Sequence, residues 1–413
     1  MKYGCIGERL GHSYSKEIHG AFAAYDYEIR EIPRFGVDAF MRARDFLGIN
    51  VTIPYKETVI PYLSELDEGA RAIGAVNTVV NRGGKLFGYN TDFFGMSELA
   101  RRAKIDFSGK KVLILGTGGT SKTAEAVAIA QGAREVIKAS RRSDNGAILY
   151  TDVYKYHTNS EIIINTTPVG MYPNIFDKPI ELSAFPNLSG VLDAIYNPEK
   201  TPLILEAEKL KVNAEGGLYM LVAQAIRASE HFLGISYSDG LCDEVFYKIR
   251  RQKRNIVLIG MPSSGKTTVG KIICEKLRRT FTDTDALIVE QSGMAIPDIF
   301  DKHGERVFRD METAAIRSVA PISGTVIATG GGAPLRAENV HALRQNGIIY
   351  FIDRPLSSLM PTEDRPLASS AEAIAKRYEE RYDIYRAACD VHIDADCTAE
   401  EVSEKILSHF LSG

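Results

Sequence analysis

Short runs of β-branched and aliphatic residues alternate along the chain with stretches whose apolar positions recur every three or four residues. Residues 2–6, 111–115, 135–139, 161–165, 191–193, 255–259 and 325–329 read as strands. Residues 17–24 and 93–103 read as helices, as does the Ala-rich stretch ending at Gly132. A further helix begins at Gly216-Gly217 and presents Leu218, Leu221, Val222, Ala225 and Ile226 on one face, flanked by Gln224. Another carries Val269, Ile272, Ile273 and Leu277 at helical spacing. Strands followed by helices in this way predict an α/β fold. One stretch alternates strictly. Ile49-Asn50-Val51-Thr52-Ile53-Pro54 should bury Ile49, Val51 and Ile53 on one face, leave Asn50 and Thr52 on the other, and end at Pro54. On that parity Lys56 enters whatever cleft Thr52 lines; the plain alternative is a solvated surface lysine.

At 413 residues the chain exceeds what one core usually serves, so two or three domains are expected. With 45% hydrophobic and 25% charged residues it has the balance of a soluble globular protein. The net charge of −3, with no basic block beyond residues 248–254, argues against a nucleic-acid partner. Five scattered cysteines without a Cys-x-x-Cys pair favour reduced thiols in the cytoplasm and no zinc site. Lys2, Glu8 and Arg9 near the start, and the lack of any apolar run of membrane-spanning length, predict neither an export signal nor a membrane anchor.

Residues 260–267, Gly260-Met261-Pro262-Ser263-Ser264-Gly265-Lys266-Thr267, lie between a strand and a helix and fit the phosphate-loop pattern; Thr268 follows. Backbone N–H groups of such a loop and the helix N-terminus present partial positive charge to a polyphosphate, Lys266 adds a full charge, and Thr267 would hold Mg²⁺. The alternative is a Gly-rich turn with a capping Thr. Asp283 and Asp285, spaced by two after a β-type run, should both face the nucleotide side, one reaching Mg²⁺ through water and the other an acceptor hydroxyl. Arg309 and Glu312 stand three apart on a helix, and Gly330-Gly331-Gly332 ends a strand without side chains, so backbone can approach a small ligand there. Arg365-Pro366-Leu367 lies in a polar segment able to close as a lid, and Arg381 precedes Tyr385 by four.

Nearer the start, Ser13 and Ser15 point the same way if extended and could hold a carboxylate or diol, or else belong to a helix cap. Asp92 in Asn90-Thr91-Asp92 stands before a helix and could merely cap it. Gly116-Thr117-Gly118-Gly119-Thr120-Ser121 after a strand is a βα turn of the dinucleotide type. The next strand closes with Ser140-Arg141-Arg142, where an NAD enzyme places an acid; cations there suit a 2′-phosphate and favour NADP, against the alternative of two surface arginines.

Ser13-x-Ser15, Asn50-Val51-Thr52-Ile53-Pro54-x-Lys56, Gly74-Ala75-Val76-Asn77-Thr78 and Asn90-Thr91-Asp92 occur in the order seen in shikimate dehydrogenases, which this part of the chain resembles. The resemblance implies that Ser13, Ser15, Thr52, Asn77, Asp92, Tyr196 and Gln224 bind shikimate and that Lys56 and Asp92 are the catalytic pair. It also implies NADP on Gly116, Thr117, Gly118, Gly119, Thr120, Ser140, Arg141, Arg142, Ala194 and Gly217. Lys16 departs from the family, which usually has Pro after the second Ser. The later part resembles shikimate kinase through the phosphate loop, Asp-x-Asp, Phe-Arg-x-x-Glu, Gly-Gly-Gly, Arg-Pro-Leu and Arg-x-x-x-Tyr. That resemblance implies shikimate on Asp285, Arg309, Gly331 and Arg381, ATP on residues 260–268 and Arg365, Mg²⁺ at Thr267 and Asp283, and Lys266, Asp285 and Arg365 as catalytic groups. The segment between Arg354 and Arg365 is short for the family's lid, and Asp383 departs from the usual Pro.

The expectation is therefore an α/β fusion of a two-lobed dehydrogenase, with a Rossmann-type NADP lobe, and a P-loop kinase with a parallel sheet. The substrate lobe should comprise 1–94 and 225–250, the NADP lobe 95–224 and the kinase 251–413. Its substrates would be 3-dehydroshikimate and shikimate, with NADPH, ATP and Mg²⁺, in a monomer or homodimer. Two rivals stay open: a quinate/shikimate dehydrogenase using NAD, which the Ser13/Ser15 and Arg141/Arg142 pairs oppose, and a chain with one half kept as a binding or regulatory module.

Overall fold

The structure is a computed structural model that describes residues 1–11, 13–143, 146–360 and 370–412. It divides into two compact units, Met1–Ile249 and Arg250–Gly413. The expected lobe boundaries at 94/95 and 224/225 fall inside helices, Thr91–Arg102 and Leu218–Leu233.

Among the described residues the first unit has two sheets. Strands β1 (Tyr3–Gly7), β2 (Tyr27–Glu31), β3 (Gly48–Val51), β4 (Glu65–Leu66), β5 (Thr78–Arg82) and β6 (Lys85–Tyr89) form a mixed sheet in the order β2-β1-β3-β5-β6-β4. All four residues of β3 are buried, so its residues do not divide into core and solvent faces as strict alternation predicts. The strand stops at Val51, before the alternating pattern does. Ile53, expected in the core, is 71% exposed, because beyond the last ladder hydrogen bond side-chain parity no longer follows the sheet.

The second sheet holds β7 (Lys111–Leu115), β8 (Glu135–Ser140), β9 (Ile148–Leu149), β10 (Ile162–Asn165), β11 (Gly190–Asp193) and β12 (Asn213–Glu215) in the order β12-β11-β10-β7-β8-β9, with every pairing parallel. This is the doubly wound order, whose direction reverses between β7 and β10 and opens a ligand crevice at the carboxyl ends of those strands. The unbroken apolar run Val112-Leu113-Ile114-Leu115 suits a strand covered on both faces, and all of it is buried. Helices Thr91–Arg102 and Leu218–Leu233 share one core through Met96, Leu99, Val222 and Ala225. Gly95 lets them approach closely, since a Cβ there would lie 2.6 Å from the Met220 carbonyl oxygen.

The second unit has one parallel sheet, β14-β15-β13-β16-β17, made of β13 (Asn255–Ile259), β14 (Phe281–Asp283), β15 (Val326–Ala328), β16 (Gly347–Asp353) and β17 (Val391–Asp394). Its central strand β13 is fully buried and delivers the phosphate loop to the carboxyl edge. The helix Lys266–Leu277 starts directly behind that loop.

Candidate active sites

In the first unit, the end of β6 runs into the helix Thr91–Arg102, and Asn90 is its cap, its side chain accepting a hydrogen bond from the Phe93 N–H. The capping role considered for Asp92 is thus already filled. Asp92 sits one position inside the first turn, buried, and receives a hydrogen bond from Lys56 Nζ at 2.5 Å. Both side chains are largely withdrawn from water, with 16% and 11% of their surfaces exposed, so the pair is charge-assisted in a medium that strengthens it.

A buried polar network lies beside this pair. The Asn77 carboxamide oxygen accepts from the Thr91 N–H at 2.8 Å, Asn77 Nδ2 donates to Thr91 Oγ1 at 3.1 Å, and Gln224 Oε1 stands 3.4 Å from the same hydroxyl. Gln224, on spacing alone an ordinary surface residue, is buried. Behind them Asn50 donates to the Asn77 carbonyl and to Thr78, and accepts from Tyr27. Ser13 Oγ donates to Ser15 Oγ at 3.1 Å, Ser15 being buried at the start of the helix Ser15–Phe22. Thr52 is half-buried against Gly7, and the Tyr196 ring lies 5.1 Å from that of Tyr14. Burial raises the Tyr196 hydroxyl well above its ordinary pKa.

The dinucleotide turn follows β7. Gly116 adopts φ 109°, a region that favours glycine, and a Cβ there would meet Thr166 Oγ1 at 2.8 Å. Gly118 opens the helix Gly119–Ala130 with free space around it, Ser121 Oγ closes on its carbonyl, and Thr117 and Thr120 flank it half-buried. A Cβ on Gly119 would lie 3.9 Å from Lys56 Cδ, so the turn faces Lys56. An N-terminal helix end with open space over its glycines fits a pyrophosphate. At the end of β8, Arg141 and Arg142 are exposed and Ser140 Oγ bonds the backbone of Arg142, so two cations stand open at this strand end. Across the crevice, Gly217 packs onto the Ala194 carbonyl so closely that no Cβ fits.

Sequence reasoning attached no role to Asp193. This fully buried carboxylate accepts from Asn165 Nδ2 at 3.0 Å, from the Ile195 N–H at 3.0 Å and from Thr201 Oγ1 at 2.7 Å, tying the ends of β10 and β11 together. Burial pushes its pKa up to about 6 in spite of those bonds.

In the second unit, Lys266 Nζ donates to the carbonyls of Gly260 and Met261 at 3.0 and 2.8 Å. Ser263 Oγ donates to the Met360 carbonyl, Ser264 is buried, and Thr268 is exposed. Thr267 Oγ1 donates to Asp283 Oδ2 at 2.7 Å, bringing together a hydroxyl and a carboxylate, the hard oxygen donors that suit Mg²⁺. The strand geometry assumed for Asp283 and Asp285 does not extend over both. The strand ends at Asp283, which caps the helix Thr284–Ser292, and Asp285 falls in that helix's first turn.

Asp285 lines a cleft together with Pro262, Arg309, Glu312, the glycines 330–332 and Arg381. Arg309 Nη1 pairs with Glu312 at 2.9 Å, and its Nη2 with Glu305 at 3.0 Å. Burial lowers the Arg309 pKa, but the Glu312 and Glu305 carboxylates outweigh it and the net shift is upward. Burial raises Glu312 against the same pairing. The Gly331 carbonyl accepts from Arg381 Nη1 at 3.3 Å and from Tyr385 Oη at 2.5 Å. The glycines are required by contact: a Cβ on Gly330 would press on Asp285 and Glu312, and one on Gly332 would overlap the Arg309 guanidinium. Arg365 lies outside the described residues.

Residues 5–79 match the family model of the shikimate dehydrogenase substrate binding domain, and residues 262–411 match that of shikimate kinase. A shikimate dehydrogenase (NADP(+)) of Clostridium beijerinckii is 33% identical over 243 residues, covering 55% of this chain and 90% of that protein. The chain belongs to the shikimate dehydrogenase family. Shikimate dehydrogenase 1 of Peptoclostridium difficile superposes with a TM-score of 0.56 at 35% identity, covering 60% of this chain and 98% of that one. The Thermus thermophilus shikimate 5-dehydrogenase, solved with NADP(H) and shikimate, does so at 0.54 and 26% identity, covering 60% and 99%. The shikimate dehydrogenase part is followed by a shikimate kinase part, as the two resemblances implied.

Sequence reading gave Asp193 no role and named Thr91 and Tyr385 only as members of motifs; packing supplies what they hold, Asn165 for Asp193, Asn77 for Thr91 and the Gly331 carbonyl for Tyr385.

Proposed function

We propose that this chain is a bifunctional shikimate-pathway enzyme. Its first unit reduces 3-dehydroshikimate to shikimate with NADPH, and its second phosphorylates the shikimate 3-hydroxyl with MgATP. The observation that carries the reading is the Lys56–Asp92 pair beside the Asn77–Thr91–Gln224 network and opposite the Gly119 turn.

Bound in this crevice, NADPH would supply the hydride. Lys56 stabilises the negative charge that develops on the substrate oxygen and donates the proton to it, while Asp92 orients the ammonium and keeps the alcohol in register. Ser13, Ser15, Thr52, Asn77, Tyr196 and Gln224 hold the ring acid. Gly116, Thr117, Gly118, Gly119, Thr120, Ser140, Arg141, Arg142, Ala194 and Gly217 hold the dinucleotide. In the second unit Arg309 and Arg381 suit the substrate carboxylate by bidentate geometry, Gly331 lets the ring approach, and Asp285 orients or deprotonates the attacking hydroxyl. Lys266 and the loop amides stabilise phosphoryl charge, Thr267 and Asp283 would hold Mg²⁺, and Arg365 belongs to the same group.

No helix among the described residues is long and apolar enough to cross a membrane. The reading makes the chain cytoplasmic, where NADPH and ATP are at hand, with small molecules as its partners. Lys56→Ala should lower NADPH oxidation roughly a thousandfold and spare ATP turnover, and Lys266→Ala should do the reverse. Loss of both activities in either variant would defeat the assignment of two independent sites.

A further inference from the structure

Within the kinase unit one cation near the phosphate loop has no role in the reading above. Strand β16 runs beside β13, with Phe351 opposite Ile259, and ends at Asp353. Arg354 therefore emerges at the carboxyl edge of the sheet, next to the strand that carries the loop. That edge, where strand order departs to either side of the central strand, is where ligands of open parallel sheets bind.

The Arg354 side chain turns toward the loop. Its Nη1 is 3.8 Å from the position a Cβ would take on Gly265, and apart from the adjoining residues of the chain no other described atom comes within 4 Å of that position. Gly265, at φ 91°, is the residue from which the helix Lys266–Leu277 begins. The Arg354 Nε is buried and has no hydrogen-bond partner among the described residues. Burying a guanidinium N–H without an acceptor is costly, so the arrangement is completed by a ligand that brings one.

The neighbouring carboxylate does not serve. Asp353 is engaged by His392 Nε2 at 2.8 Å and by the hydroxyls of Tyr378 and Tyr382 at 3.2 Å each. The segment after Arg354 is fastened to the loop by the Ser263 hydroxyl on the Met360 carbonyl at 2.8 Å, which holds the arginine's backbone against the site.

We propose that Arg354 binds the phosphates of the nucleotide, a second cation added to Lys266 and delivered from the sheet edge. A guanidinium fork matches phosphate oxygens in a way an ammonium does not, so the two cations differ in kind. This inference rests on the kinase reading.

The test uses the full-length chain as wild type, Arg354→Ala and Arg354→Lys. Shikimate-dependent ATP turnover gives the two KM values. ADP binding is measured without shikimate and with the dinucleotide site saturated by NADP⁺. Loss of one charge-assisted phosphate contact should raise the ATP KM and the ADP Kd about ten- to a hundredfold in Arg354→Ala, with a smaller rise in Arg354→Lys. The shikimate KM and inhibition by adenosine should stay within about twofold of wild type, since neither ligand presents a phosphate to the loop. An ATP KM and ADP Kd unchanged in Arg354→Ala would overturn the inference and leave the kinase reading standing. Equal rises in both KM values would make Arg354 a packing residue and overturn it as well. A wild-type chain that phosphorylates nothing would defeat the kinase reading itself.

Discussion

Replacing Gly332 with Ala tests the kinase cleft at its tightest point. The added methyl would overlap the Arg309 guanidinium, which is held by Glu312 at 2.9 Å and Glu305 at 3.0 Å. Two responses are open. The arginine can leave Glu312, whose side chain is 0% exposed, and abandon a buried carboxylate, at a cost of about 3–5 kcal/mol. Alternatively the turn can shift and draw the Gly331 carbonyl away from Arg381 and Tyr385. Either response moves a cleft-lining group by roughly 1 Å, which at a reacting centre costs about a hundredfold in rate. Urea denaturation should show the second unit destabilised by about 3 kcal/mol. The kinase kcat/KM for shikimate should fall roughly a hundredfold, while NADPH oxidation by the same chain stays at the wild-type rate. Gly331→Ala is the milder comparison, because the nearest atoms its Cβ would meet belong to Pro262, at 3.0 Å and beyond. A Gly332→Ala protein with wild-type denaturation midpoint and wild-type kcat/KM would refute the description of the cleft.

Asp193 has a folded pKa of about 6 against an ordinary value of 3.8. Between those two pH values the native chain keeps a proton that the unfolded chain has released, so stability of the first unit should fall as pH rises through that window and level off above it. Asp193→Asn should remove that slope in a series of urea midpoints from about pH 4 to 7, and an unchanged slope would show that another group titrates. Replacing Arg141 and Arg142 together with Ala should raise the KM for NADPH about tenfold or more and leave NADH little affected; equal effects on both cofactors would refute a 2′-phosphate site.

The motifs were legible because their chemistry is local. The phosphate loop, the dinucleotide turn and the triple glycine each need a strand, a tight backbone and a helix start within a few residues, and such units announce themselves in composition and spacing. The α/β class followed from the same alternation. Prediction failed where a strand ended earlier than its pattern. Ile53 keeps the apolar parity of Ile49 and Val51 yet lies in solvent, and Asp285 falls in a helix rather than on the strand that ends at Asp283, since a side-chain period holds only while the ladder does.

What the sequence by itself determined is the order of two catalytic units and the inventory of charged and glycine positions in each. The tertiary structure decided which of these meet: Lys56 with Asp92, Gln224 with Thr91 across 133 positions of chain, and Arg354 with the loop that begins at Gly260. The physical reason is that local spacing sets backbone geometry, whereas a buried charge or amide is satisfied by whatever the packing of distant elements brings within about 3 Å of it.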